Sequence, residues 1–378
     1  MTRARILAPA AILFLWLASS GLGAAPWPFA QAGAPALATQ APAPWPDADV
    51  RAERKRAAEG RPLFASSEPL AFTLLADFKV VQQDRDLEST TTYPATLVVA
   101  RQDGTEASIP MRIRTRGHSR RSPTACAFAP LRLEFESNPI GTVFEGQKNL
   151  KLGTHCRDLG EYEQYVLREY SVYRLYNVLT PRSFRARIAS ARYVDARSRK
   201  TVAERAALFL EDDDDVARRL DGRTTDQLKV IFRRTDLPTT TLMTLFEFMI
   251  GNTDMSIMAL HNVRLVETPT DTLYPVPYDF DYAGVVNTRY GRPGPRLGLS
   301  SVRERLYRGP CWTAEEFESF FSRFRDARPA IMAVYDSVPA LSSGYVRQAR
   351  NYLDEFYRTI EQPARVKRAL VDACLAGM

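Results

Sequence analysis

The chain has 378 residues, of which 45% are hydrophobic and 25% are charged, so it can bury one large core or two small ones. Its net charge of +7 at pH 7 comes from basic residues spread along the sequence. A nucleic-acid-binding protein usually concentrates its positive charge in one stripe or block, so we expect no nucleic-acid partner.

The first 24 residues have the pattern of a secretory signal peptide. Arg3 and Arg5 precede a short apolar core at residues 6–17, and residues 23–25 are small enough for cleavage. The apolar core is shorter than the roughly 20 residues that span a bilayer. We therefore expect a bacterial protein that is periplasmic or secreted, with no stable membrane span after cleavage.

Residues 25–65 begin with a run rich in Ala and Pro, which cannot bury a core, and we expect a disordered linker there. The four cysteines of an exported chain are expected to pair. Three connectivities are possible, and we favour one bridge in each half, Cys126–Cys156 and Cys311–Cys374. A zinc site is not expected, because no C-x-x-C spacing occurs.

The chain from residue 71 to residue 152 alternates short apolar runs with turns, which predicts β-strands. Asp103 and Gly104 form a two-residue hairpin signal between the second and third runs. The predicted strands are residues 72–75, 95–99, 109–113, 131–135 and 150–152.

Residues 161–177 have the apolar periodicity of a helix, and Glu169 falls in the middle of its apolar stripe. A carboxylate on the buried face of a helix must be neutralised or paired. Residues 184–194 and 206–210 predict two more strands. Glu211 and the four aspartates after it then begin a helix whose dipole they complement.

The apolar run at residues 242–250 predicts a buried helix that ends at Gly251. Residues 263–266 and 273–276 predict two strands joined by a polar turn that contains Pro269. Because antiparallel strands return the chain to its starting point, the end of the second strand should lie beside the start of the first.

Four polar residues should converge through this hairpin: Asp254, Asn262, Asp279 and Asp281. Acids and an amide of this kind are the groups that a metal and phosphate site needs. The alternative is that they are turn-forming and loop residues that face water.

The last third of the chain is expected to be helical. Thr313 and Glu316 form a capping box before an apolar stripe, and a second stripe ends at Pro363. These helices are expected to support the site without taking part in chemistry.

Five short segments resemble a known family. The sequences GNTD (251–254), HN (261–262) and PYDFD (277–281) resemble the C-lobe signature of the CotH-type (spore coat protein H) atypical kinases, and more loosely that of HipA-like kinases. RTRGHSR (114–120) resembles the family's RxRGxS segment, and QKNLKL (147–152) resembles its lysine-bearing strand.

The resemblance implies an α+β, two-lobed kinase-like fold. Residues 66–212 would form a β-rich N-lobe with one helix, and residues 213–378 a mainly helical C-lobe with the catalytic hairpin. It also implies transfer of phosphate from ATP, with Mg²⁺ or Mn²⁺, to a protein or another hydroxyl acceptor that the sequence does not identify.

The same resemblance assigns roles to residues. Asp254 would orient the acceptor hydroxyl, while Asn262, Asp279 and Asp281 would hold the metal ion. Backbone groups near Leu210 and Glu211 would meet the adenine ring of the nucleotide.

Lys151 would contact the α- and β-phosphates and pair with Glu169. The alternative for Glu169 is a salt bridge with a nearby arginine such as Arg185 or Arg187. Lys148 replaces Lys151 if the strand register differs.

Two other functions stay open. His261 beside Asp254 and Asn262 suits a metal-dependent phosphohydrolase, in which the acids bind the metal and His261 acts as an acid or a ligand. A non-catalytic pseudokinase scaffold is the other, since ATP is scarce outside the cytoplasm.

Overall fold

The computed structural model describes residues 43–101 and 103–377. The expected signal peptide and most of the Ala/Pro-rich run therefore lie outside the described residues. Within the expected linker span, Ala48–Glu59 forms helix α1. The described residues from Trp45 onward form one compact unit.

The β-structure of the described residues consists of ten strands. They are β1 (Leu70–Ala76), β2 (Tyr93–Ala100), β3 (Glu106–Thr115), β4 (Leu131–Phe135), β5 (Asn149–Gly153), β6 (Ala186–Asp195), β7 (Thr201–Leu210), β8 (Arg223–Thr225), β9 (Val263–Glu267) and β10 (Leu273–Pro277). Each strand that was predicted from apolar runs is present at its expected place.

The first seven strands close into a barrel in the order β1-β2-β3-β4-β5-β7-β6. Neighbours are antiparallel, except that β1 pairs with β6 in parallel and closes the ring. The expected fold, α+β with two kinase-like lobes, is therefore wrong. The reason is that residues 70–76 pair with residues 189–195, and no local pattern in the sequence indicates a pairing between such distant segments.

Strands β6 and β7 separate two hydrophobic cores. Tyr193 of β6 and Phe209 of β7 belong to the core inside the barrel. Ile188 and Leu208 belong to the core of the helical half. This division follows from the alternation of side chains along a strand, which sends odd and even residues to opposite faces.

The helices after α1 lie mostly in the second half of the chain. They are α2 (Phe78–Gln83), α3 (Gly160–Leu179), α4 (Asp213–Arg219), α5 (Leu237–Ile250), α6 (Ala314–Ser337), α7 (Ser343–Ile360) and α8 (Pro363–Val366). Helix α3 packs against β6, β7 and α6. Strands β8, β9 and β10 form a separate sheet in the order β10-β9-β8.

Two helix ends form as the sequence predicted. Thr313 and Glu316 make a reciprocal capping box at the start of α6. Helix α5 ends at Gly251, whose φ is +69°; a Cβ atom there would lie 1.9 Å from the hydroxyl oxygen of Tyr352. Only glycine satisfies both the left-handed backbone and this close approach.

Both expected disulfide bonds are confirmed, Cys126–Cys156 and Cys311–Cys374. Disulfide bonds are consistent with a secreted or periplasmic protein. Among the described residues, no helix combines the length and the apolarity needed to cross a membrane.

Candidate functional site

Three loops meet at a cleft of about 340 Å³. They lie within residues 116–119 after β3, residues 254–262 between α5 and β9, and residues 278–282 after β10. All four polar residues that were expected to converge line this cleft: Asp254, Asn262, Asp279 and Asp281.

The hairpin of β9 and β10 produces this convergence. Val263 is opposite Pro277 in the antiparallel pair, and beyond it the backbone N–H of Tyr278 donates to the carbonyl oxygen of Asn262 at 3.0 Å. Asn262 and Asp279 have φ values of 54° and 62°, a backbone conformation that Asn and Asp tolerate better than most residues. Asp279 is thereby held beside Asn262.

Asp254, at the start of its loop, is held by His261 and Asn262 at the end of the same loop. Asn262 Nδ2 donates to the backbone oxygen of Asp254 at 2.7 Å and to its Oδ2 at 3.1 Å. His261 Nε2 lies 3.0 Å from Asp254 Oδ1. The Asp254 side chain is 36% exposed, so its carboxylate is accessible from the cleft.

The backbone around Asp254 is anchored as well. Arg308 Nη1 donates to the carbonyl oxygens of Thr253 at 2.7 Å and Met255 at 2.9 Å. Asn252 Oδ1 accepts the backbone N–H of Asp254 at 3.1 Å. A carboxylate whose loop is held on both sides is already oriented before a ligand arrives.

His261 responds electrostatically to Asp254. Their hydrogen bond raises the pKa of His261 because it stabilises the protonated ring, while partial burial opposes the shift. Arg116 and His118 also line the cleft. Basic groups therefore stand beside the acidic ones, an arrangement that suits a ligand carrying phosphate oxygens.

A buried arginine joins two of the cleft acids. Arg120 donates through Nη2 to Asp279 at 3.0 Å, and its Nε lies 3.3 Å from Asp281. Its Nη1 lies 3.8 Å from Glu169. We call these four residues the Arg120 cluster, in which one cation is shared by three carboxylates.

The pKa values of Arg120, Glu169 and Asp281 are all raised, which favours the charged form of the arginine and the neutral form of the two carboxylates. Burial acts against the charged form of Arg120, but Asp281, Asp279 and Glu169 outweigh it and raise the pKa of Arg120. Burial raises the pKa of Glu169 and of Asp281, although Arg120 opposes both shifts. The guanidinium of Arg120 therefore keeps its proton, while Glu169 and Asp281 take up a proton more readily than an exposed carboxylate does.

The expected pairing of Glu169 with Lys151 is therefore wrong. An arginine does neutralise Glu169, as the alternative required, but it is Arg120 and neither Arg185 nor Arg187. Arg120 lies in a short helical turn after β3, far from Glu169 in sequence. It belongs to the segment that resembles the RxRGxS motif, so the sequence did contain a signal for it.

Lys151 pairs instead with Asp213 at the start of α4. Asp213 also accepts from Arg264 Nε at 2.9 Å, and we call these three residues the Asp213 cluster. Burial lowers the pKa of Lys151 to about 8, although Asp213 opposes the shift. The alternative lysine, Lys148, is exposed.

The Asp213 cluster lies behind one wall of the cleft. Lys151 Nζ is 4.7 Å from the ring centroid of Tyr278, and Tyr278 lines the cleft. Burial raises the pKa of Asp213, but Lys151 and Arg264 outweigh it and leave the pKa lowered. Lys151 itself does not line the cleft.

Leu210 and Glu211, the expected adenine contacts, also lie outside the cleft lining. Leu210 pairs with Lys151 and Ala186 in the barrel. The Glu211 carboxylate is fully buried and is bound by Arg185 and Arg219. The backbone N–H of Glu211 donates to the Arg185 carbonyl oxygen at 3.0 Å, so this donor is already used within the protein.

The predicted metal ligands were Asn262, Asp279 and Asp281. In the part of the chain that the structure describes, no group of three or more His, Cys, Asp or Glu side chains is placed to hold a metal ion. Arg120 lies between the two acids, and Asn262 Nδ2 is bonded to Asp254. As arranged, the three residues do not fit a metal ion, and their role as ligands stays a prediction.

The cleft thus combines an oriented carboxylate, a protonatable histidine and two further basic residues with an acidic wall held by Arg120. Compared with known proteins, the chain matches no family model and no curated protein.

Proposed function

We propose that this cleft transfers a phosphoryl group from ATP to a hydroxyl group of a protein or another acceptor. The observation that carries the proposal is the partly exposed Asp254 carboxylate, fixed by Asn262 and His261 in a cleft that contains Arg116 and His118. A fixed carboxylate is suited to accepting a hydroxyl proton, and basic side chains attract phosphate oxygens. The resemblance to CotH-type kinases supports the same chemistry.

The charge of the cleft defines the form of the donor. Asp279 and Asp281 add negative charge, which repels the phosphates of free ATP. The donor is therefore proposed to enter as its complex with Mg²⁺ or Mn²⁺, in which the ion cancels part of the phosphate charge. Asn262 holds Asp254 so that its free carboxylate surface faces the acceptor hydroxyl.

Because disulfide bonds persist in oxidising compartments, we place the reaction in the periplasm or outside the cell.

A phosphohydrolase is the second candidate, and the hydrogen bond between His261 and Asp254 favours it. A histidine whose pKa is raised can donate a proton to the leaving oxygen of a phosphoester. A binding protein without turnover is the third, and the engagement of Asp279 and Asp281 by Arg120 favours it.

One set of measurements separates the three candidates. The purified mature chain is incubated with ATP labelled in its γ-phosphate and Mg²⁺ or Mn²⁺, and nucleotide binding is followed by thermal shift. Binding with transfer of label to the chain or to an added protein supports the kinase. Phosphate release from phosphoesters without transfer supports the hydrolase, and binding without either reaction supports the binding protein.

The base is tested with Asp254→Asn. We expect phosphate transfer to fall by several orders of magnitude while nucleotide affinity and Tm change little, since the lost interaction belongs to the transition state. Retention of more than about a tenth of wild-type transfer, a barrier change under about 1.4 kcal/mol, would contradict the role of Asp254.

Asp271→Asn is the matched control for that experiment. Asp271 lies in the turn of the same hairpin, its side chain is 72% exposed, and its φ of 59° suits asparagine. The Asp271→Asn variant removes one negative charge, as Asp254→Asn does, but at the turn of the hairpin and away from the cleft. Equal losses of transfer in both variants would indicate a general effect of charge or folding.

The predicted metal ligand is tested with Asp279→Ala, with Asp271→Ala as the control. If Asp279 meets the ion of the donor complex, the variant loses metal-dependent nucleotide binding and keeps its fold, because Arg120 retains Asp281 and Glu169 as partners. Unchanged nucleotide affinity would show that Asp279 does not contact the metal ion or the nucleotide.

A further inference from the structure

A second concave site lies in the helical half, where the end of α7 meets α8 and the segment before α6. Its volume is about 560 Å³, within the range of small-molecule pockets. Four arginines line it: Arg305, Arg358, Arg365 and Arg368. We call it the arginine pocket, and it shares no lining residue with the Asp254 cleft.

The arginine pocket carries an excess of positive charge. Glu355 is the one acid among its lining residues, at 3.4 Å from Arg305 and 4.0 Å from Arg358. Within the described ranges, Arg365 and Arg368 form no ion pair. Cations that outnumber the acids of a concavity create a positive potential there, which attracts an anionic ligand.

The inner arginine is already oriented. Arg305 donates through Nε and Nη2 to the carbonyl oxygen of Met249 at 3.3 and 3.2 Å, and Nη2 also donates to the carbonyl oxygen of Tyr352. Its guanidinium lies 3.7 Å from the centroid of the Tyr352 ring. A side chain held in this way loses little further conformational freedom when it binds a ligand.

The walls of the pocket are fixed by covalent and backbone contacts. Cys374, next to the lining residue Ala373, is joined to Cys311 by a disulfide bond. The backbone N–H of Leu375 donates to the carbonyl oxygen of Gly309 at 3.0 Å. The chain that bears Arg365 and Arg368 is thereby held against the segment that bears Arg305.

We infer that the arginine pocket binds a small organic phosphate. Guanidinium groups match the geometry of phosphate oxygens and form paired, charge-assisted hydrogen bonds with them. Phe248 and Leu306 supply apolar surface for the organic part of the ligand. This site is independent of phosphoryl transfer at the Asp254 cleft.

The test uses inorganic pyrophosphate as the probe and calorimetry on the full mature chain. We expect binding that weakens as salt is raised. The double variant Arg365→Gln/Arg368→Gln should lose at least about tenfold in affinity, because hydrogen bonds to charged groups are the strong ones. Both side chains are exposed, so Tm should stay near that of the wild type.

The matched control is Arg54→Gln/Arg347→Gln. Both of these arginines are exposed and have no ion pair in the part of the chain that the structure describes, and the variant loses the same net charge. Equal affinity losses in the two double variants, or no loss in Arg365→Gln/Arg368→Gln, would overturn the site. Glu355→Gln should bind pyrophosphate more tightly, and weaker binding would also argue against it.

The source of the phosphate is resolved by a second probe. Co-sedimentation with phosphatidylglycerol vesicles, but not with phosphatidylcholine vesicles, supports the site with a lipid headgroup as ligand. Pyrophosphate binding without co-sedimentation supports the site with a soluble phosphate. Failure to bind either probe at low salt overturns it.

Discussion

The Arg120 cluster and the Asp213 cluster are both partly buried ion networks beside the cleft, but their charge balances are opposite. In the first, one guanidinium serves three carboxylates. In the second, one carboxylate lies between Lys151 and Arg264. The minority ion is therefore the cation in the Arg120 cluster and the anion in the Asp213 cluster.

The pKa shifts of the two minority ions have the same consequence. The minority ion is driven further into its charged form, since the pKa of Arg120 is raised and that of Asp213 is lowered. One majority member of each cluster is pushed towards its neutral form, because burial raises the pKa of Glu169 and lowers that of Lys151 to about 8. Arg264 differs, since burial lowers its pKa less than Asp213 and its other neighbours raise it. Removing a minority ion should therefore cost much more than removing a majority ion.

The largest effect is expected from Arg120→Met. The variant leaves Glu169, Asp279 and Asp281 without their shared cation, and an uncompensated buried charge costs about 3 to 5 kcal/mol. We expect a loss of that size in the free energy of unfolding at pH 7, measured by urea denaturation. The loss should be smaller at pH 5, because the carboxylates can then take up protons. A loss below about 1 kcal/mol would mean that the Arg120 cluster has no structural role.

A smaller effect is expected from Lys151→Met, the same type of substitution in the other cluster. Asp213 keeps Arg264 at 2.9 Å, and methionine retains apolar contact with the rings of Phe184 and Tyr278. We expect a loss of about 1 to 2 kcal/mol in the same urea experiment. Equal losses for the two methionine variants would break the distinction between minority and majority ions.

The elements of the cleft were predictable where they depend on neighbours in sequence. The hairpin that brings Asp279 beside Asn262 follows from two short β-prone runs and a polar turn. Gly251 marked the end of α5, because a left-handed residue is needed where that helix turns into the Asp254 loop. The two disulfide bonds followed from the expectation of one bridge in each half.

Contacts between distant segments were not predictable in the same way. Glu169, an acid in an apolar stripe, correctly indicated a cationic partner, but the chain has 51 lysines and arginines. Periodicity shows which face of a helix is buried and cannot show what covers it. The closure of the barrel by β1 and β6 is the same kind of contact, and it is why the two-lobed fold was wrong.

The smallest effect is expected from Glu169→Gln, which removes a majority ion. Glutamine keeps the shape of the side chain, and Arg120 keeps Asp279 and Asp281. The free energy of unfolding at pH 7 should therefore lie within about 1 kcal/mol of the wild type. The more informative quantity is how the difference in Tm between variant and wild type changes with pH.

The sign of that change follows from the pKa of Glu169. Because burial raises this pKa above its ordinary value of 4.5, the stability that Glu169 contributes is fully present below pH 4.5 and is lost as the pH rises. The variant lacks this loss, so its Tm relative to the wild type should increase from pH 5 to pH 8. Glu161 on the same helix is the control, since its hydrogen bond from Tyr165 lowers its pKa. The contribution of Glu161 is fully present above pH 4.5 and is lost only below it, so the Glu161→Gln difference should stay constant from pH 5 to pH 8. A Glu169→Gln difference that is equally constant over this range would show that Glu169 is not in excess within the Arg120 cluster.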